Sequence, residues 1–119
     1  MELGYLTFPM HPPGSLHHET IQHDLDQIVT LDKLGFQEAW IGEHFTASWE
    51  NIPSPDLFIA AALGLTENII LGTGVTCLPN HNPFVLANRI AQLDQMAKGR
   101  FHWGIGSGGF PSDFEVFGF

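Results

Sequence analysis

The chain has 119 residues, 44% of them apolar and only 14% charged. That balance suits a globular domain with a real core and excludes a disordered chain. A formal charge of −9, with Lys33, Arg89, Lys98 and Arg100 as the fixed cations, argues against nucleic acid or an anionic membrane as partner, since both need clustered Lys and Arg. Cys77 stands alone, so no disulfide framework or thiolate metal cage is expected. The stretch Met1-Glu2-Leu3-Gly4-Tyr5 lacks the basic region of a signal peptide, and no apolar run approaches the roughly 20 residues of a membrane span. A cytoplasmic location is the expectation.

Along the chain, Leu3 to Phe8 is short, apolar and aromatic, and predicts a first strand ending at Pro9. Ile21, Leu25, Ile28 and Leu31 recur at helical spacing, and Gly35 suits the position just past that helix. Phe36 to Gly42 predicts a second strand. Ser54-Pro55 marks a helix start, with Ser as cap and Pro in the first turn, and Ala60 to Leu65 completes the helix. Ile69 to Thr73 predicts a third strand. Asn82-Pro83 repeats the cap-and-proline device before the helical face Val85, Leu86, Ile90, Leu93 and Met96. Gly99 ends that helix, and Phe101 to Ile105 predicts a fourth strand.

Strands that read as continuous apolar runs, alternating with helices, indicate an α/β fold with a parallel sheet. The strand ends fall about 32 residues apart, close to the unit of about 31 residues in an eight-unit barrel of roughly 250. Residues 1–119 therefore read as a single partial domain, the N-terminal part (about four βα units) of a (β/α)₈ TIM barrel, cut in mid-loop at Phe117-Gly118-Phe119. A complete small doubly wound domain is the alternative.

Ligands of parallel α/β sheets sit at the C-terminal strand ends. Those ends bring together Phe8 to His11, Gly42-Glu43-His44, Thr73 to Thr76 and Gly104 to Gly109. A carboxylate and an imidazole at the end of a buried strand are costly without partners, which makes Glu43-His44 a candidate for chemistry. Gly74 and Gly106 let a flat ligand or a phosphate approach the backbone, although glycines at strand ends also serve turns. Met10, Trp49 and Phe110 are candidate apolar walls.

Other readings are weaker. Gly104 to Gly109 matches GxGxxG, but a dinucleotide fingerprint should open a long helix with an acid about 20 residues later, and the chain ends first. His11, His17, His18 and His23 cluster without a metal-ligand spacing, so no metal is expected. His81 reads as solvated or as a helix-entry contact. His102 can face either side of its strand, and Cys77 reads as a small buried hydrophobe. No GxSxG elbow or Walker A loop is present.

Glu43-His44, Leu71 to Val75 with Leu78-Pro79, Leu93-Asp94-Gln95-Met96, and Gly99-Arg100-Phe101 through Gly106 together resemble the bacterial luciferase-like flavin-dependent monooxygenases. The tail Asp113 to Gly118 resembles the luciferase alpha subunit. Glu38 to His44 and Ser54 to Ala62 look closer to the limonene monooxygenase-like branch. The resemblance implies reduced FMN from a separate flavin reductase, O₂, and a small apolar organic substrate, with a homo-oligomeric full-length form. Coenzyme F420, in a reductase or dehydrogenase of the same fold, is the alternative. A self-associating, non-catalytic half-barrel is a third reading, and the segment alone is expected to be inactive.

Carried over by position, His44 matches the active-site histidine, catalytic through hydrogen bonding and proton transfer. Glu43, Ala61, Gly74 and Gly106 are assigned to cofactor binding. Ala61 is included because Ala60 to Ala62 match the region where the family has a non-proline cis peptide under the flavin. Two departures count against a light-emitting site: Phe45 replaces a second histidine, and Gly106 replaces a reactive cysteine. Arg100 begins its strand, at the opposite face, and is not a phosphate clamp.

Overall fold

The computed structural model describes residues 1–118. Strands β1 (Gly4–Thr7), β2 (Glu38–Ile41), β3 (Ile70–Thr73) and β5 (Phe101–His102) form one parallel sheet in that order. A second pair, β4 (Thr76–Cys77) with β6 (Ile105–Gly106), extends the last two strands past a break. Helices α1 (His17–Lys33), α2 (Pro55–Leu63) and α3 (Pro83–Ala97) are the crossovers, and α4 (Pro111–Phe117) follows β6. This is the α/β, parallel βα succession that begins a (β/α)₈ barrel.

Strand alternation divides the side chains into two layers. Tyr5, Ala39, Leu71 and Phe101 stand in register across the sheet, as do Leu6, Trp40, Gly72 and His102. The first row meets the helices. Ile28 and Leu31 of α1, Phe58, Ile59, Ala62 and Leu63 of α2, and Leu86, Ile90, Leu93 and Ala97 of α3 close over it as the core. Burying a side chain such as Ile59 or Leu71 contributes about 2 kcal/mol. The second row faces the other way, so His102 lies on the inner side with Trp40, ring centroids 6.0 Å apart. Gly72 is required there, because a Cβ would lie 2.5 Å from the Trp40 ring.

The predicted fourth strand is broken. Gly104 N–H donates to Thr73 Oγ1 at 3.1 Å, and that hydroxyl donates to Gly104 O at 2.8 Å. A side chain thus replaces the ladder for one step, and pairing resumes at Thr76 with Ile105. Two other expectations are corrected. Phe117 closes helix α4 rather than lying in mid-loop, with Gly118 left-handed at φ 81°. Ser54 makes no capping hydrogen bond, so Pro55 alone marks that helix start, whereas Asn82 accepts from Phe84 and Val85 as expected.

The N-terminal strand ends are closed by ionic caps. Arg100 donates to Leu63 O and Thr66 O, and to Ile69 O and Thr66 Oγ1, finishing α2 and the loop beyond it. Asp32 accepts from the N–H groups of Glu67, Asn68 and Ile69 at 2.8–3.0 Å. Arg100 therefore serves the face opposite the strand C-termini.

Candidate functional site

The C-terminal strand ends line a cavity of about 510 Å³. Its walls include Phe8, Glu43, His44, Val75, Phe110 and Asp113, with the backbone of Gly74, Gly106, Gly108 and Gly109. Glu43, His44, Gly74 and Gly106 thus meet at one place, although they come from three strand ends. Phe110 supplies the expected apolar wall. Met10 is 64% exposed and lies over a different depression beside α1, and Trp49 also stands outside the cavity.

Ala61 does not join them. Helix α2 turns Phe58, Ile59, Ala62 and Leu63 into the core, and the helical period then directs Ala61 outward, into a shallow groove with Ile21 and Leu57. The non-proline cis peptide is Gly74-Val75, at the end of β3, and not within Ala60 to Ala62.

Glu43 is buried, and its carboxylate lies 3.0 and 3.1 Å from His81 Nε2. Burial pushes its carboxyl above the usual range, against the pull of the neighbouring His81 and of hydrogen bonds from Cys77 and Asn80. His81 is therefore neither solvated nor a helix-entry contact; its side chain is only 10% exposed. Its partner lies 38 residues away in sequence, and the loop Leu78-Pro79-Asn80-His81 carries no local signal of the pairing. Burial, Glu43 and Asp113 push the Cys77 thiol up to about 11, so it stays neutral.

The His44 ring packs between Phe8 and Phe110, centroids 5.5 and 5.3 Å away. Its Nε2 lies 3.4 Å from Glu50 Oε2. Its Nδ1 is buried without a hydrogen-bond partner, and so is Asn80 Oδ1. Such orphaned polar atoms are costly and call for a bound group. Gly109 has open space around the position of a Cβ, so backbone at the rim is accessible to a flat ligand. Asp113 is a residue that sequence reasoning did not single out for the site. It reaches across from α4 to accept from Thr46 N at 2.8 Å, holding the loop that follows His44.

Residues 1–119 match the family described as luciferase-like monooxygenase. The chain belongs to that family. It is 44% identical over 118 residues to 4-hydroxyprotoasukamycin monooxygenase of Streptomyces nodosus subsp. asukaensis, covering 99% of this chain and 32% of that protein. Against limonene 1,2-monooxygenase of Rhodococcus erythropolis the identity is 39%, with 99% and 30% covered.

Among luciferase-like structures, the oxygenating constituent of 3,6-diketocamphane monooxygenase from Pseudomonas putida, a type II Baeyer-Villiger enzyme solved with FMN, superposes with TM-score 0.94 at 36% identity. It covers 99% of this chain and 32% of that one. An F420-dependent secondary alcohol dehydrogenase with an F420-acetone adduct gives 0.72 at 26% identity, covering 90% and 32%. The chain spans about a third of the length of the curated relatives it matches.

Among the described residues no group of His, Cys, Asp and Glu side chains is arranged to hold a metal ion, and no helix is long and apolar enough to cross a membrane.

Proposed function

We propose that this chain is the N-terminal third of a monooxygenase that uses reduced FMN and O₂ to oxygenate a small apolar organic substrate, the flavin coming from a separate reductase. The observation that carries the reading is the 510 Å³ cavity at the strand C-terminal ends, walled by glycine backbone and by a histidine with an unpartnered buried nitrogen. Reduced flavin, when bound, would supply the two electrons that let one oxygen atom of O₂ enter the substrate and the other leave as water.

This chain's residues do the rest. Gly109, where a Cβ would meet nothing, leaves the rim open to a planar ring, whereas Gly74 and Gly106 are glycine because a Cβ would press on Leu6 and Trp40 and on Val75. Phe8, Val75, Phe110 and Phe114 keep water from the reacting face. His44, fixed between two phenyl rings, presents Nδ1 as the atom that takes or returns a proton. Glu43, held by His81, supplies a polar wall of the same cavity. The coenzyme F420 reading draws its support from the likeness to the F420-dependent dehydrogenase.

The test is O₂ uptake by the full-length protein with reduced FMN and a panel of cyclic terpenes and ketones. Flavin-dependent uptake coupled to an oxygenated product is expected. His44→Ala should lower turnover by about 100-fold with an unchanged circular dichroism spectrum. An unaltered rate would remove His44 from the chemistry, and no uptake with any of the panel would remove the monooxygenase reading.

A further inference from the structure

Of the four histidines near the start of the chain, His11 is the one the fold buries, at 3% exposure. A buried imidazole needs partners for both nitrogens. His11 Nε2 donates to Asp24 Oδ2 of α1 at 2.6 Å, and Nδ1 is hydrogen-bonded to Asn51 Oδ1. Its backbone N–H donates to Trp49 O at 2.6 Å, and its neighbour Met10 forms an isolated antiparallel bridge with Glu50. Three successive residues of the loop after β2, Trp49, Glu50 and Asn51, are thereby tied to the segment after β1.

The middle residue of the three carries the carboxylate that stands 3.4 Å from His44 Nε2. A second tether runs from His44 N–H to Ile52 O at 3.2 Å. The loop's other end is held by Asp113 through Thr46. Among the described residues Glu50 is the acid at ion-pair distance from His44, at Nε2 and not at the unpartnered Nδ1.

We infer that Glu50 is a positioning residue for His44, and that the buried His11–Asp24 pair is the latch that keeps Glu50 in place. A carboxylate at ion-pair distance from Nε2 favours the ring's proton on that side and leaves the buried, unpartnered Nδ1 as the free nitrogen, the way a carboxylate biases the tautomer of a working imidazole. The inference rests on the reading of His44 as the proton-handling group.

The test is a double-mutant cycle on the full-length enzyme with reduced FMN. Glu50→Gln should lower kcat about tenfold, and the half-saturating concentration of reduced FMN should move by less than about twofold. Glu50→Asp should restore part of the loss. In a His44→Ala background, Glu50→Gln should cost nothing further. His11→Gln should lower kcat in the same direction and be non-additive with Glu50→Gln. Glu50 is half-buried, with a side chain 37% exposed, and its variants should keep the parent circular dichroism spectrum even if His11→Gln does not.

An unchanged kcat in Glu50→Gln overturns the inference, as do losses that multiply with His44→Ala. If His44→Ala itself keeps full turnover, the reading of His44 falls first and the inference with it.

Discussion

Glu43 and His44 are adjacent in sequence but sit in different electrostatic settings. His44 has a half-buried acid, Glu50, beside it, whereas Glu43 is enclosed and leans on His81. Burial raises the Glu43 carboxyl above its ordinary value of 4.5. The folded chain then holds that proton more tightly than the unfolded one. Glu43 thus favours the fold below 4.5, and the advantage is lost as pH rises through the raised folded value. Glu43→Gln lacks this term. Its unfolding midpoint, relative to the parent, should therefore climb across that window; a difference that stays flat or falls would mean the carboxyl is not raised.

The sequence made this pair legible because an apolar strand runs into two polar residues with no turn between them. It hid His81 and His11, whose partners lie 38 and 13 residues away and in other elements. A histidine flanked by prolines or polar residues looks solvated until the fold closes over it.

At the scale of elements, each strand has a structural end and a chemical end. Asp32 and Arg100 serve the structural end. Burial alone would raise the Asp32 carboxyl, but the N–H groups of Glu67, Ile69 and Asn68 and the Arg100 charge outweigh it and hold it below 3.8. Its contribution is present above 3.8 and is lost as pH falls through the lowered folded value. Asp32→Ala should cost about 2 kcal/mol in urea unfolding at neutral pH, with the penalty fading under acid. Arg100→Met should cost a similar amount, about 2–3 kcal/mol, by orphaning carbonyls of α2 and its loop. Turnover per folded molecule should be unchanged in both, because neither touches the cavity; a selective loss of kcat would place them in the site after all.

Strands β1, β2 and β3 were readable from apolar runs and helix α3 from its period. The break between β5 and β6 was not, since it depends on the Thr73 hydroxyl substituting for a backbone partner in the next strand. Helix α4 was missed because the polar and aromatic run Ser112 to Phe117 has too few turns to show a period. Ala61, chosen by its position in a family pattern, stands on the outward face of α2 and apart from the cavity.

For the whole molecule, the inner face of the sheet carries exposed apolar side chains. Leu6 is 59% exposed and Ile105 52%, both on strands that would line a barrel interior. Edges at β1 and β5 have no further partner among the described residues. Residues 1–119 on their own should associate through these edges and show no turnover. Sedimentation as a stable monomer with measurable oxygenation would refute that. In a full-length barrel the same face would be covered by later strands, and the rim would gain the rest of a cofactor pocket.

The measurement that bears most directly on that pocket is an anaerobic spectral titration of the full-length protein with reduced FMN and, separately, with reduced F420. Saturable binding of FMN, weakened when Gly109 is replaced by Val, is the predicted result. Binding of F420 alone, or of neither, would contradict it.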